Sequence, residues 1–82
     1  MSKAREGEIF GATVRRLRLA KEWTQEDLAD AAGLTSTYVG QVERGDKVPS
    51  LTVVLKLARG LGVAPQELLV GFSAGVLRGL RL

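Results

Sequence analysis

Apolar residues recur every three to four positions through most of this chain, and nowhere do they alternate with polar ones as in a half-buried strand. Phe10, Val14, Leu17 and Lys21 fall on one stripe with Arg15 and Arg16 turned outward, which predicts a helix over about Glu8–Lys21. Trp23-Thr24-Gln25-Glu26-Asp27-Leu28 carries the signals of a second start. Thr24 is placed to cap, Asp27 at the third helical position to reach back to the cap, and Trp23 to pack on Leu28. Gly33 supplies the left-handed residue that stops this helix. Leu34-Thr35 then repeats the arrangement, with Leu34 placed to meet Val39 and Thr35 to cap a third helix that runs to about Arg44 and ends at Gly45.

Two short helices joined by a turn of three or four residues containing Gly make a helix-turn-helix, here over about residues 24–45. Pro49-Ser50 opens a fourth helix, for which the spacing puts Leu51, Val54, Leu55, Ala58 and Leu61 inward and leaves Val53 and Leu57 on the opposite side. Gly60 and Gly62 bracket its end, and Pro65 suits the first position of a fifth helix carrying Leu68 and Leu69. The last stretch contains Gly71, Gly75 and Gly79, which weigh against a helix there. The expected fold class is therefore all-α, a compact five-helix domain over residues 1–70 followed by a short C-terminal tail over 71–82.

Composition removes more functions than it adds. With 82 residues the chain makes one domain, and it holds neither Cys nor His. That excludes disulfides, Cys/His zinc sites and any Ser-His or Cys-His nucleophilic pair. A carboxylate enzyme remains conceivable, but the acids Glu6, Glu8, Glu22, Glu26, Asp27, Asp30 and Glu43 sit at helix-surface and cap positions, so no enzyme, cofactor or metal is expected. There is no apolar run of the roughly 18 residues needed to span a membrane and no apolar stretch of the secretory kind at the N-terminus, so the expected location is cytoplasmic. The net charge of +3 is compatible with a nucleic-acid partner but does not argue for one. Up to Lys47 the basic and acidic residues balance, and the excess comes from Lys56, Arg59, Arg78 and Arg81 against Glu67.

The face of the third helix argues more strongly. At roughly 100° per residue, Tyr38, Val39 and Val42 share one arc with Glu43 at its edge, while Ser36, Thr37, Gly40 and Gln41 take the opposite arc. A merely solvated helix face more often carries Glu, Lys or Ala, because small polar residues and Gly are poor helix formers. A helix entering the major groove needs short side chains for close approach. Gln41 offers the donor and acceptor of bidentate adenine recognition, Ser36 and Thr37 can bond several bases, and Gly40 would allow the backbone near. Thr24 and Gln25, at a helix N-terminus, and Arg44 and Lys47, just after the third helix, are placed to hold phosphates.

Taken together, Thr24-Gln25-Glu26-Asp27-Leu28-Ala29, Gly33-Leu34-Thr35, Tyr38-Val39, Val42-Glu43-Arg44-Gly45, Pro49-Ser50-Leu51, Leu57-Ala58 and Leu61-Gly62-Val63 resemble the Xre, or lambda Cro/repressor-like, helix-turn-helix family over about Val14–Leu69. The joint spacing of Ala29, Gly33, Glu43 and Gly45 carries the likeness. The resemblance implies a five-helix lambda-repressor-like domain, cytoplasmic and usually dimeric, that regulates promoters from paired half-sites in double-stranded DNA. By position it implies base contacts from Ser36, Thr37 and Gln41, phosphate contacts from Gln25, Tyr38 and Arg44, and a structural salt bridge between Arg18 and Glu43. The chain departs from the pattern at Ala64, where a capping Ser or Asp is common, and at Ser36, where many relatives carry a long Arg or Gln. Its size and the run Tyr38–Asp46 are most similar to the controller proteins of restriction–modification systems and small regulators of mobile elements, which commonly act on their own promoter.

These readings converge on a regulator that binds a pseudo-palindromic operator as a homodimer. The expected dimer surface is Val53, Leu57, Leu69, Val70 and Phe72, because the C-terminal third holds more apolar surface than one small core can absorb. The alternative is an antitoxin that binds a toxin as well as its own promoter.

Overall fold

The computed structural model describes residues 4–82, and among them there are six helices and no strand. They are α1 (Arg5–Ala20), α2 (Gln25–Ala32), α3 (Ser36–Glu43), α4 (Leu51–Leu61), α5 (Pro65–Leu68) and α6 (Ala74–Gly79). Caps set most of the boundaries. Thr24 and Asp27 form a reciprocal capping box at the start of α2, while Thr35, Ser50 and Ser73 each accept a backbone N–H three residues on, at the starts of α3, α4 and α6. α2 ends at Gly33 and α4 at Gly62, both left-handed with φ 69° and 71°. Ala64 supplies no side-chain cap, and α5, opened by Pro65, is only 4 residues long.

The core joins five of the six helices: Phe10 and Val14 from α1, Leu28, Ala29 and Ala32 from α2, Val39 and Val42 from α3, Leu57, Ala58 and Leu61 from α4, and Leu68 from α5. Trp23 and Leu34, the residues that precede the caps of α2 and α3, pack on its edge. No helix among the described residues is long and apolar enough to cross a membrane.

Four details differ from the sequence reading, each for a packing reason. α1 begins at Arg5 rather than Glu8, carrying Gly7 and Gly11 inside it and both buried. These glycines lower local propensity, but they lie where α3 and the turn after it come closest, so tertiary contact stabilises the extra turn. Lys21 lies outside the buried stripe. It is the exposed C-cap residue, and its ammonium sits 4.8 Å from the centre of the Trp23 ring.

The third difference is the rotation of α4. Leu57 is fully buried, whereas Leu51 is 73% exposed and Leu55 47%. A Cβ on Gly60 would fall 2.9–3.0 Å from the backbone of Ala31 and Ala32, so α2 packs closely on that side of α4 and covers Leu57. Leu57 is thus core and cannot belong to a dimer surface. Val53 and Phe72 are half-buried against the same core, while Leu69 and Val70 stay 47% and 60% exposed.

Finally, the glycine-containing tail holds the short helix α6, capped by Ser73. The chain reaches it by folding back across α1. A Cβ on Gly71 would lie 2.7 Å from the Ile9 side chain, and Gly79 is beside Arg5.

The turn between α1 and α2 contains the one non-glycine residue with positive φ among the described residues, Glu22 at 59°. Trp23 N–H bonds the Arg18 carbonyl and Glu22 N–H that of Leu19, the pattern of a helix ended by a left-handed residue. For a residue with a Cβ that conformation costs about 1 kcal/mol, roughly what glycine loses in chain entropy. Glu22→Gly should therefore change stability by less than about 1 kcal/mol, with the sign toward stabilisation, in a thermal melt. A loss larger than that would show that the Glu22 side chain contributes something the geometry of the turn does not.

Candidate nucleic-acid interface

The N-termini of α2 and α3 open side by side onto a shallow groove lined by Thr24, Gln25, Glu26, Ser36 and Thr37. Both helices begin here because their caps are local. Thr24 Oγ1 accepts from Asp27 N–H at 3.0 Å while Thr24 N–H donates to Asp27 Oδ2 at 2.9 Å, and Thr35 Oγ1 accepts from Tyr38 N–H at 3.1 Å. Thr24 is thereby engaged as a cap in its own helix. The sequence thus brings four of its expected DNA-contacting residues, Thr24, Gln25, Ser36 and Thr37, to one place. Thr37 is exposed and Ser36 half-buried.

Gln41, one turn further along α3, is half-buried, and Tyr38 packs against the core edge. Arg44 and Lys47 are exposed beyond the end of α3, and Arg44 Nε donates to Asp46 Oδ2 at 3.1 Å. Any phosphate grip by Arg44 therefore competes with a carboxylate beside it.

Behind the groove lies a polar network. Arg18 Nε donates to Glu43 Oε2 at 2.7 Å and Arg18 Nη2 to Glu43 Oε1 at 2.9 Å, a two-pronged pair whose side chains are 9% and 2% exposed. Arg18 Nη1 also donates to the Trp23 carbonyl at 2.7 Å, tying in the turn before α2. The hydrogen bonds with Glu43 hold the Arg18 pKa above its already high ordinary value, against the opposing effect of burial. No buried side-chain nitrogen or oxygen among the described residues lacks a partner.

Two features of this network escaped the sequence reading. Gln25 Nε2 donates to Glu43 Oε1 at 3.1 Å, linking the first residue of α2 to the last of α3 across 18 residues of sequence. Gly40, expected in the middle of an open face, is buried: Gln25 and Arg44 lie over it. The one signal that could have pointed here is the glycine itself, an unfavourable residue in mid-helix that needs a reason.

The helix-turn-helix family HTH_3 matches residues 14–68 of the chain. Among curated relatives, the chain is similar to the control protein C.BamHI of Bacillus amyloliquefaciens, 42% identical over 62 residues that cover 74% of this chain and 76% of that one. It is also 36% identical over 63 residues to YazB of Bacillus subtilis, described as an uncharacterized HTH-type transcriptional regulator, covering 77% and 91% of the two chains. Among solved structures it resembles the restriction-modification controller protein C.AhdI from Aeromonas hydrophila, with a TM-score of 0.75 and 48% identity over 77% of this chain and 96% of that one.

Proposed function

This chain belongs to the Xre-like helix-turn-helix family, and from that premise we propose that it is a sequence-specific DNA-binding transcriptional regulator of the controller type. It acts in the cytoplasm on a pseudo-palindromic operator, as a homodimer, and governs its own promoter. The observation that carries this reading is the division of α3. Val39 and Val42 are fully buried, while Ser36 and Thr37 line the groove at the two helix N-termini and half-buried Gln41 follows one turn along α3. Held that way, the helix can enter a major groove with donors and acceptors foremost.

In this reading Ser36, Thr37 and Gln41 meet base edges. Thr24, Gln25, Tyr38, Arg44 and Lys47 hold phosphates, fixing register without carrying sequence information. Residues 1–70 form the DNA-binding unit, and residues 71–82 contribute to dimerisation. The dimer surface is redrawn from the exposed apolar side chains. Leu69 and Val70 remain, Leu51 and Leu55 of α4 replace the buried Leu57, and Leu77 of α6 adds to them. The names of the controller relatives support this reading, and no observation favours the antitoxin reading over it.

Selection of bound duplexes from a randomised pool tests it. The enriched sequences should contain two inverted half-sites centred about 34 Å, one helical turn, apart. Gln41→Ala should weaken binding to that site by about 1–3 kcal/mol and broaden the preference at one position in each half-site. Enrichment of a single unpaired half-site would speak against the dimer, and an unaltered preference in the Gln41 variant against this reading face.

A further inference from the structure

The burial of Gly40 has a bearing on how the DNA backbone is held. A Cβ built there would lie 3.1 Å from Arg44 Nη1, 3.3 Å from Gln25 Oε1 and 3.6 Å from Gln25 Nε2, and no backbone atom is among these nearest neighbours. Helix propensity favours Ala over Gly at such a position. The tightest contacts are made by the far ends of two flexible side chains, which need shift by only a few tenths of an ångström to admit a methyl group. The fold would therefore tolerate Ala. What Ala would disturb is the placement of Gln25 and Arg44, two of the residues assigned above to the phosphates.

Gln25 is held from a second side. Its Nε2 gives one N–H to Glu43 Oε1, and Glu43 is itself fixed by the two donors of Arg18 on α1. An amide nitrogen has two hydrogens. With one committed inward and the side chain resting on Gly40, the second is the one left for an oxygen at the groove.

We infer that Gly40 and Glu43 are positioning residues for phosphate binding: Gly40 is the seat on which the Gln25 and Arg44 side chains lie, and Glu43 sets which way the Gln25 amide points. This rests on the proposed reading of α2 and α3 as the DNA-binding pair. It differs from a role for Gly40 in close approach to bases, and the two roles separate in measurement, because phosphate contacts act on every sequence alike whereas base contacts do not.

The test uses the full chain, the duplex that the parent protein enriches from a randomised pool, and a mixed-sequence duplex without that site. Gly40→Ala should melt at the same temperature as the parent or higher, yet bind both duplexes more weakly by the same several-fold factor. The slope of log affinity against log salt should fall by about one, because the displaced Arg44 is a cation whose phosphate contact releases a counterion. Gln25→Ala should likewise weaken both duplexes alike but leave the salt slope unchanged, since its amide carries no charge, and adding Gly40→Ala to it should cost less than Gly40→Ala alone. A lowered melting temperature for Gly40→Ala would make the glycine a packing requirement and overturn the inference. So would unchanged affinity, or a changed base preference, provided Gln25→Ala weakens binding. If Gln25→Ala itself leaves affinity untouched on both duplexes, the phosphate role of Gln25 falls and this inference falls with it.

Discussion

Replacing Glu43 by Ala should remove about 3–5 kcal/mol of stability, the usual cost of leaving one partner of a buried ion pair unpaired. For a chain of 82 residues the total is only about 4–12 kcal/mol, so much of the population would unfold under mild denaturant. The stranded group is the Arg18 guanidinium, 9% exposed, which would lose both bonds to Glu43 and keep only that to the Trp23 carbonyl. Many buried groups escape such a penalty by changing protonation state, but Arg18 cannot. The pair raises its pKa above an already strongly basic ordinary value, so its contribution is fully present below that range and is lost only as pH rises past it. Stability supplied by this arginine should therefore show no pH dependence between about pH 6 and 9. Joint replacement, Arg18→Met with Glu43→Leu, should recover most of the loss, since well-packed apolar residues often substitute for a buried pair at no cost. Urea melts followed by circular dichroism would measure all three. A Glu43→Ala protein within about 1 kcal/mol of the parent would show that the pair contributes little to the fold.

The second large effect is expected at Gly11, in the middle of α1. A Cβ there would fall 2.2 Å from the Val42 carbonyl oxygen and 2.7 Å from that of Glu43. These are backbone atoms at the end of α3, so relief requires moving one helix against the other. Gly11→Ala should cost about 2–3 kcal/mol, toward the upper end for overpacking and net of the ~1 kcal/mol that Ala regains in helix propensity. Because α3 is the displaced element, DNA binding should fall further than the unfolded fraction accounts for. Gly40→Ala is the natural control, a second buried helical glycine whose added methyl meets flexible side-chain ends instead. In thermal melts Gly11→Ala should fall below the parent and Gly40→Ala stay level with it or above, and a Gly11→Ala protein as stable as the parent would disprove the close α1–α3 contact.

What could be read from the sequence is what short-range chemistry decides. Thr24, Thr35 and Ser50 cap their helices through bonds three residues away, and Gly33 and Gly62 end theirs through their own backbone conformation, so residue types in order suffice to place these boundaries. The polar arc of α3 was legible only in part: opposite the buried Val39 and Val42, Thr37 is exposed and Ser36 and Gln41 half-buried, but Gly40, which belonged to the same arc, lies buried under Gln25 and Arg44.

The rotation of α4 was not legible, because Leu51, Val53, Val54, Leu55, Leu57, Ala58 and Leu61 put apolar groups around most of its circumference. Periodicity then allows several phases, and the close approach of α2 at Gly60 selects the one that buries Leu57 and exposes Leu51. The seat at Gly40 and the Gln25–Glu43 bond depend on residues 15 to 18 positions apart in sequence, which meet only after the core has set α2 against α3. α6 starts at the local cap Ser73 and buries none of its residues, whereas the contact of Gly71 with Ile9, across some 60 residues, is one that no local pattern of three glycines announces. Local order thus determined where helices start and stop and which face of α3 is polar. Helix rotation and the support beneath the groove came from packing, because a burial pattern has a unique solution only once the neighbouring backbones are in place.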